Sequence, residues 1–217
     1  MGIVKEEYKS EYECRVKELC GAFVTAYCNY FYLLGIGERQ KNYLNMQPLT
    51  VLYKHSRRFV KSIVTALQKE MILILCSLKE TKSKAKHLPN SVPTLKFALH
   101  DYLKDFKSVT HQLEKTQCSN KYQCIKANRD KVIAHIDLNK NLDKVLMSEV
   151  KQCLDELRKC FNSYLFDEMV DECTISDEQL KRIEKECHEG VNQLFSGQFD
   201  KSFTLFSATV KNSIGEN

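Results

Sequence analysis

An arginine and a histidine lie six residues apart in Arg129-Asp130-Lys131-Val132-Ile133-Ala134-His135. Together they suit phosphodiester chemistry. Arginine offers a permanent, planar, bidentate donor to phosphate oxygens. Histidine takes or gives a proton near neutral pH. RNA carries its own nucleophile, the 2′-hydroxyl, so such a pair can cleave it without a metal: one group stabilises charge on the phosphorus, the other moves protons. On a straight helix a six-residue step is about 600° of rotation, which splays the two side chains by about 120°. They converge only if the helix ends or loosens between them, or if a second subunit supplies the partner. By residue type alone, Arg129 also reads as a surface ion pair and His135 as a helix-terminal cap.

The elements that must carry the pair read as helices. The chain of 217 residues has only 7 Gly and 3 Pro, with 43% apolar and 28% charged residues. That composition is globular and favours long helices over a many-turned β-fold. Residues 4 to 34 read as a first helix, stopped by Gly35-Ile36-Gly37. A second spans 48 to 78, with Leu52, Phe59, Ile63, Leu67, Ile74 and Leu78 at helical spacing. Lys79 to Asn90 holds four lysines and reads as a solvated loop. A third helix is predicted from about Pro93 to Thr116, with a seam at Leu95, Leu99, Tyr102, Phe106, Val109 and Leu113. Its opposite face carries Lys96, His100, Lys104, Lys107 and His111, which reads either as a solvent face or as a track for an RNA backbone.

The motif occupies the C-terminal half of a fourth helix, Asn120 to about His135. A fifth covers 144 to 168, with a stripe of Met147, Val150, Leu154, Leu157, Phe161, Tyr164 and Leu165, and Cys153 and Cys160 beside it. Ser176 with Gln179 three residues on forms a capping box opening another helix. Phe199, Phe203, Phe206 and Val210 suggest a last short one. No strand alternation or fixed-period repeat is visible. The fold class is therefore all-α: an up-and-down bundle over 45–170, flanked by an N-terminal helix and connection, 1–44, and a C-terminal helical pair, 171–217.

Charge and cysteine usage bound the setting. The net charge of +5 permits an acidic partner such as RNA without requiring one. The ten cysteines show no C-x-x-C pair, which argues against structural zinc and for reduced, core-filling thiols. Cys118 and Cys124, which bracket the approach to the motif helix, have only nearby lysines to lower a thiol pKa. The N-terminus lacks a secretory pattern. Leu19 to Gly37 is free of charge but holds three tyrosines and three glycines, so it reads as a buried helix or an oligomer interface rather than a bilayer span. These features point to the cytoplasm and away from a membrane. No glycine-rich phosphate loop, H-E-x-x-H helix or G-x-S-x-G elbow is present.

The motif region resembles a known family. Arg129 to His135 is similar to the R-x(4–6)-H motif of the HEPN superfamily (higher eukaryotes and prokaryotes nucleotide-binding). The longer string Asn128 to Asp137 resembles the abortive-infection AbiU-like branch, in which a polar residue follows the arginine and Ile-Ala-His closes the motif. The resemblance implies a four-helix bundle that homodimerises, with two arginines and two histidines in a composite cleft. It also implies a metal-independent endoribonuclease of defence or toxin type, with RNA as substrate and no cofactor. A toxin of this kind has an antitoxin or regulatory protein as partner. The alternative is a non-catalytic HEPN module that binds RNA, a nucleotide, or a nucleotidyltransferase-type antitoxin. Carried over to this chain, Arg129 binds phosphate and stabilises the transition state, His135 is the general acid/base, and Asp130 is an orienting polar group. Asn128, Lys131, Lys96, His100 and Lys104 are expected as RNA contacts.

Overall fold

The computed structural model describes residues 3–45, 51–80, 89–101, 120–130, 146–166 and 168–196. After a 3₁₀ turn, Glu6–Tyr8, six α-helices follow among these residues. They are α1 (Lys9–Asn45), α2 (Val51–Leu78), α3 (Asn120–Asn128), α4 (Met147–Asn162), α5 (Glu168–Cys173) and α6 (Asp177–Ser196), with a second 3₁₀ turn, Val92–Ala98, between α2 and α3. The described residues contain no strand beyond one isolated bridge, Val4 to Leu99, so the fold is all-α.

α1 is the central helix. Tyr12, Val16, Leu19, Phe23, Ala26, Tyr30 and Leu33 recur at steps of three and four and are all buried, with Tyr27 and Phe31 widening the stripe. A face that broad serves several neighbours at once. Three buried or half-buried polar bonds fix its register. Tyr12 donates to the Tyr164 carbonyl at 2.6 Å. Tyr27 donates to Asp155 Oδ1 at 2.7 Å, and Asn29 Nδ2 donates to Glu70 Oε2 at 3.0 Å. Within Glu6–Glu38 this helix is long and apolar enough to cross a membrane, the one such helix among the described residues. Here its apolar face is buried against the rest of the protein.

Two expectations need correction. The first helix does not stop at Gly35-Ile36-Gly37 but runs to Asn45. A glycine inside a helix costs about 1 kcal/mol relative to alanine, which tertiary packing outweighs. At Gly35 the missing side chain has a use, because a Cβ there would sit 3.2 Å from Val191 Cγ2 on α6. The start of the expected Pro93–Thr116 helix is instead the 3₁₀ turn followed by extended backbone at Leu99, and its remainder from Tyr102 lies outside the described residues. Thr94 Oγ1 accepts from the Ser91 amide at 3.3 Å and donates to the Pro89 carbonyl at 2.8 Å. The N-terminal segment then captures the far end: Lys5 N–H donates to the Ala98 carbonyl at 2.9 Å and His100 N–H to the Ile3 carbonyl at 3.4 Å. Lys96 and His100 therefore do not share a helical face. Lys104 and the other expected members of that stripe lie outside the described residues, as does the predicted helix around Phe199 to Val210.

The predicted stripe of α4 is in place. Val150, Leu154, Leu157, Phe161, Tyr164 and Leu165 are buried, with Cys153 and Cys160 beside them. The capping box forms as read: Gln179 N–H donates to Ser176 Oγ at 3.1 Å, and Ser176 N–H to Gln179 Oε1 at 2.8 Å. The nine described cysteines are free thiols, and five of them are buried.

α4 is tied to α6 through a buried arginine. Arg158 Nη1 donates to the Ile175 carbonyl at 2.7 Å and Nη2 to Asp177 Oδ1 at 2.6 Å. The hydrogen bond from Arg158, then its charge, holds the Asp177 carboxyl below its usual value. A depressed carboxylate contributes stability that is complete above its unfolded pKa, about 3.9, and is lost as pH falls through the lower folded value. Asp177→Asn is therefore expected to lower the melting temperature at neutral pH. Its deficit relative to wild type should shrink below about pH 4. Thermal melts across a pH series check this, and a constant deficit down to acid pH would contradict it.

Candidate functional site

The motif begins where α3 ends. Tyr122, Ile125 and Arg129 lie along one side of this segment, since seven residues make about two turns. Ile125 is fully buried and Tyr122 nearly so, which pins the helix to the core. Asn128 Nδ2 donates back to the Cys124 carbonyl at 3.0 Å. At Arg129 and Asp130 the backbone widens from α-helical to π-helical. Such local widening is rare and recurs at functional sites. It is also the kind of loosening that the Arg–His spacing calls for.

Arg129 and Asp130 form a tight ion pair. Nε and Nη2 of the arginine meet the same Asp130 Oδ1 at 2.7 and 2.6 Å. The arginine side chain is 26% exposed and the aspartate 47%. Partial burial works against the arginine's charge. The hydrogen bond to Asp130 and the adjacent charges outweigh it and hold the Arg129 pKa above its ordinary value. The guanidinium has five N–H donors in a fixed plane. Asp130 engages the Nε–Nη2 edge and sets the orientation of that plane.

Behind this pair lies a cluster that the sequence pattern does not show. Lys79, expected in a solvated loop, is 2% exposed. Its Nζ sits 3.4 Å from the ring centroid of Tyr122. Cys76, one turn earlier on α2, is hydrogen-bonded to Tyr122. Burial pushes the Cys76 thiol up to about 11, with the Arg129 charge pulling the other way, so it stays a neutral thiol at physiological pH. Burial likewise raises the Tyr122 phenol above its usual value. The end of α2 thus braces the motif helix through an ammonium on a ring and a thiol on a phenol. One signal was available: Lys79 continues the buried row of Met71 and Leu75 at a four-residue step.

A desolvated cation–π contact is worth about 2 kcal/mol. Tyr122→Leu is expected to destabilise the protein by about that amount or more, because it leaves the ammonium over an aliphatic surface. Tyr122→Phe keeps the ring and should retain most of the stability. Urea denaturation of the two variants separates them, and equal losses would show that the ring–ammonium contact contributes little.

Of the other expected site residues, Lys96 is exposed on its 3₁₀ turn and His100 is half-buried in the extended stretch beyond it. Neither is part of the Tyr122–Arg129 cluster as described. Lys131, His135 and Lys104 lie outside the described residues. Among the described residues no group of three or more His, Cys, Asp or Glu side chains is placed to hold a metal ion.

Comparison with protein families gives one decisive match: the HEPN family described as AbiU2 covers residues 6–167. The chain belongs to the HEPN AbiU2 family. Comparison with curated proteins and with solved structures finds no match. The matched region of this HEPN protein starts ahead of α1 and ends after α4. It therefore includes the central helix together with the α3 motif segment and the α2 residues that brace it. α5 and α6 follow it.

Proposed function

We propose that this HEPN AbiU2 protein is a metal-independent endoribonuclease, acting as a homodimer in defence against phage or as the toxin of a toxin–antitoxin pair. The observation that carries the reading is the placement of Arg129. It is a charged, partly exposed guanidinium at a π-helical turn, oriented by Asp130 and backed by a rigid buried cluster. A pre-oriented donor aimed at a phosphate needs no reorganisation when charge develops on the phosphorane-like state. In the proposed reaction the RNA 2′-oxygen loses its proton to a His135 acting as base and attacks the adjacent phosphorus. The bond to the 5′-oxygen breaks, and that oxygen takes a proton from a His135 acting as acid. The products are a 2′,3′-cyclic phosphate and a free 5′-hydroxyl. Asp130 keeps the arginine plane aligned while the opposite guanidinium edge meets the phosphate. The two-fold axis brings the arginine and histidine of two subunits into one cleft.

The test is incubation of the purified protein with total RNA in EDTA. New fragments ending in 2′,3′-cyclic phosphates are expected. RNA binding without fragments would overturn the nuclease reading and favour a non-catalytic HEPN module that binds RNA or a protein partner.

A further inference from the structure

We infer that Cys28 and Cys187 form a peroxide-sensitive dithiol site, in which oxidation joins α1 to α6 through a disulfide. The pair is separate from the motif and belongs to the contact between those two helices. Cys28 is half-buried, whereas Cys187 is 2% exposed. Their thiols are in hydrogen-bond contact. The Tyr32 phenol meets Cys187 in the same way. The two helices approach closely here. A Cβ at Gly190 would sit 3.5 Å from the Tyr32 ring, and one at Gly35 would sit 3.2 Å from Val191. Close backbone approach is what a disulfide requires, since its Cα atoms are usually about 4.4–6.8 Å apart.

The arrangement divides the work between the two thiols. The hydrogen bond with Cys187 holds the Cys28 thiol below its ordinary value, against burial and the charge of Glu186. The thiolate is the nucleophile in thiol chemistry, and Cys28 is the member of the pair that solvent reaches. Its sulfur attacks one oxygen of hydrogen peroxide. The O–O bond breaks, the leaving hydroxide takes up a proton as water, and Cys28 becomes a sulfenic acid. The Cys187 sulfur then attacks the Cys28 sulfur. The S–S bond forms, the S–O bond breaks, and the Cys187 proton departs with the hydroxide as a second water. Two thiols thus lose two electrons and two protons to one peroxide. A second thiol contact, between Cys20 of α1 and Cys173 at the end of α5, provides a comparison. There burial dominates and pushes the Cys20 thiol up to about 11, so it stays neutral.

Peptide mapping of the dilute full-length protein tests this, after treatment with hydrogen peroxide, blocking with N-ethylmaleimide and digestion without reductant. A peptide pair linked through Cys28 and Cys187 is expected, and dithiothreitol should separate it. The linked protein should melt at least about 5 °C above the reduced one, because a disulfide that closes so long a loop constrains the unfolded chain. Cys28→Ser should remove both the link and the peroxide-induced rise in melting temperature. In Cys187→Ser, Cys28 should instead accumulate as a sulfenic acid that a cyclic 1,3-diketone traps. The wild-type link requires no variant, so a substitution that impairs folding leaves the test intact. The proposal is overturned if the exposed Cys14 is oxidised while Cys28 and Cys187 remain thiols, or if Cys20 and Cys173 link first. It is also overturned if Cys28 links only to a cysteine of a second copy.

Discussion

Replacing Arg129 by alanine is expected to lower RNA cleavage in EDTA by about 10²–10³-fold, the loss typical of removing one pre-oriented donor from a developing oxyanion. Arg129→Lys should recover little of it. An ammonium is a point charge that cannot both pair with Asp130 along one edge and present a planar second edge to phosphate. Asp130→Asn should give an intermediate loss, because the arginine keeps its charge but not its fixed plane. His135→Ala should abolish cleavage while leaving a folded dimer. The decisive comparison is of single-turnover rates for the four variants alongside their sedimentation. Cleavage by His135→Ala at the wild-type rate would remove His135 from the mechanism. Full activity in Arg129→Lys would show that charge alone matters and that the Asp130 geometry does not.

The largest stability effect is expected at the contact between the central helix and α4. Phe161 is fully buried, and its ring centroid lies 5.2 Å from that of Phe23. Phe161→Ala loses the transfer free energy of the ring and leaves a cavity, about 3–5 kcal/mol. Against a total stability of about 5–15 kcal/mol, that is a large fraction. Urea denaturation should show a fall in midpoint with the slope unchanged. A loss below about 1 kcal/mol would mean that the site collapses around the deletion, contrary to the close-packed arrangement.

What the sequence reveals depends on whether local or distant forces decide. The α4 stripe and the Ser176–Gln179 box are local: a period of three to four apolar residues, or a side chain reaching three positions, fixes the outcome. The run through Gly35 and Gly37 is not local, because the contact that favours it belongs to Val191, far along the chain. Helical spacing from Leu95 to Leu99 is overridden by pairing with Ile3, Val4 and Lys5. The burial of Lys79 depends on a tyrosine that arrives forty-three residues later. At the motif, residue types and spacing single out Arg129 and His135, of which His135 lies outside the described residues; Asp130 enters through the family resemblance, and its ion pair with Arg129 is seen only in the structure. The π-helical turn and the Cys76–Lys79–Tyr122 brace are products of packing.

The central position of α1 also sets the order of events at the ribosome. This helix leaves the exit tunnel early, yet its polar anchors Tyr12 and Tyr27 await Tyr164 and Asp155, which follow by 152 and 128 residues. At about 5–20 residues per second, that delay is roughly 6–30 s. During this interval α2 can cover only part of the apolar face, and the rest is open to nascent-chain-binding chaperones or to a neighbouring chain. Such distant pairings make folding slower than the adjacent contacts of a simple helical hairpin allow. Synonymous codon changes that lengthen the pause before α4 are therefore expected to decrease the soluble yield of this protein.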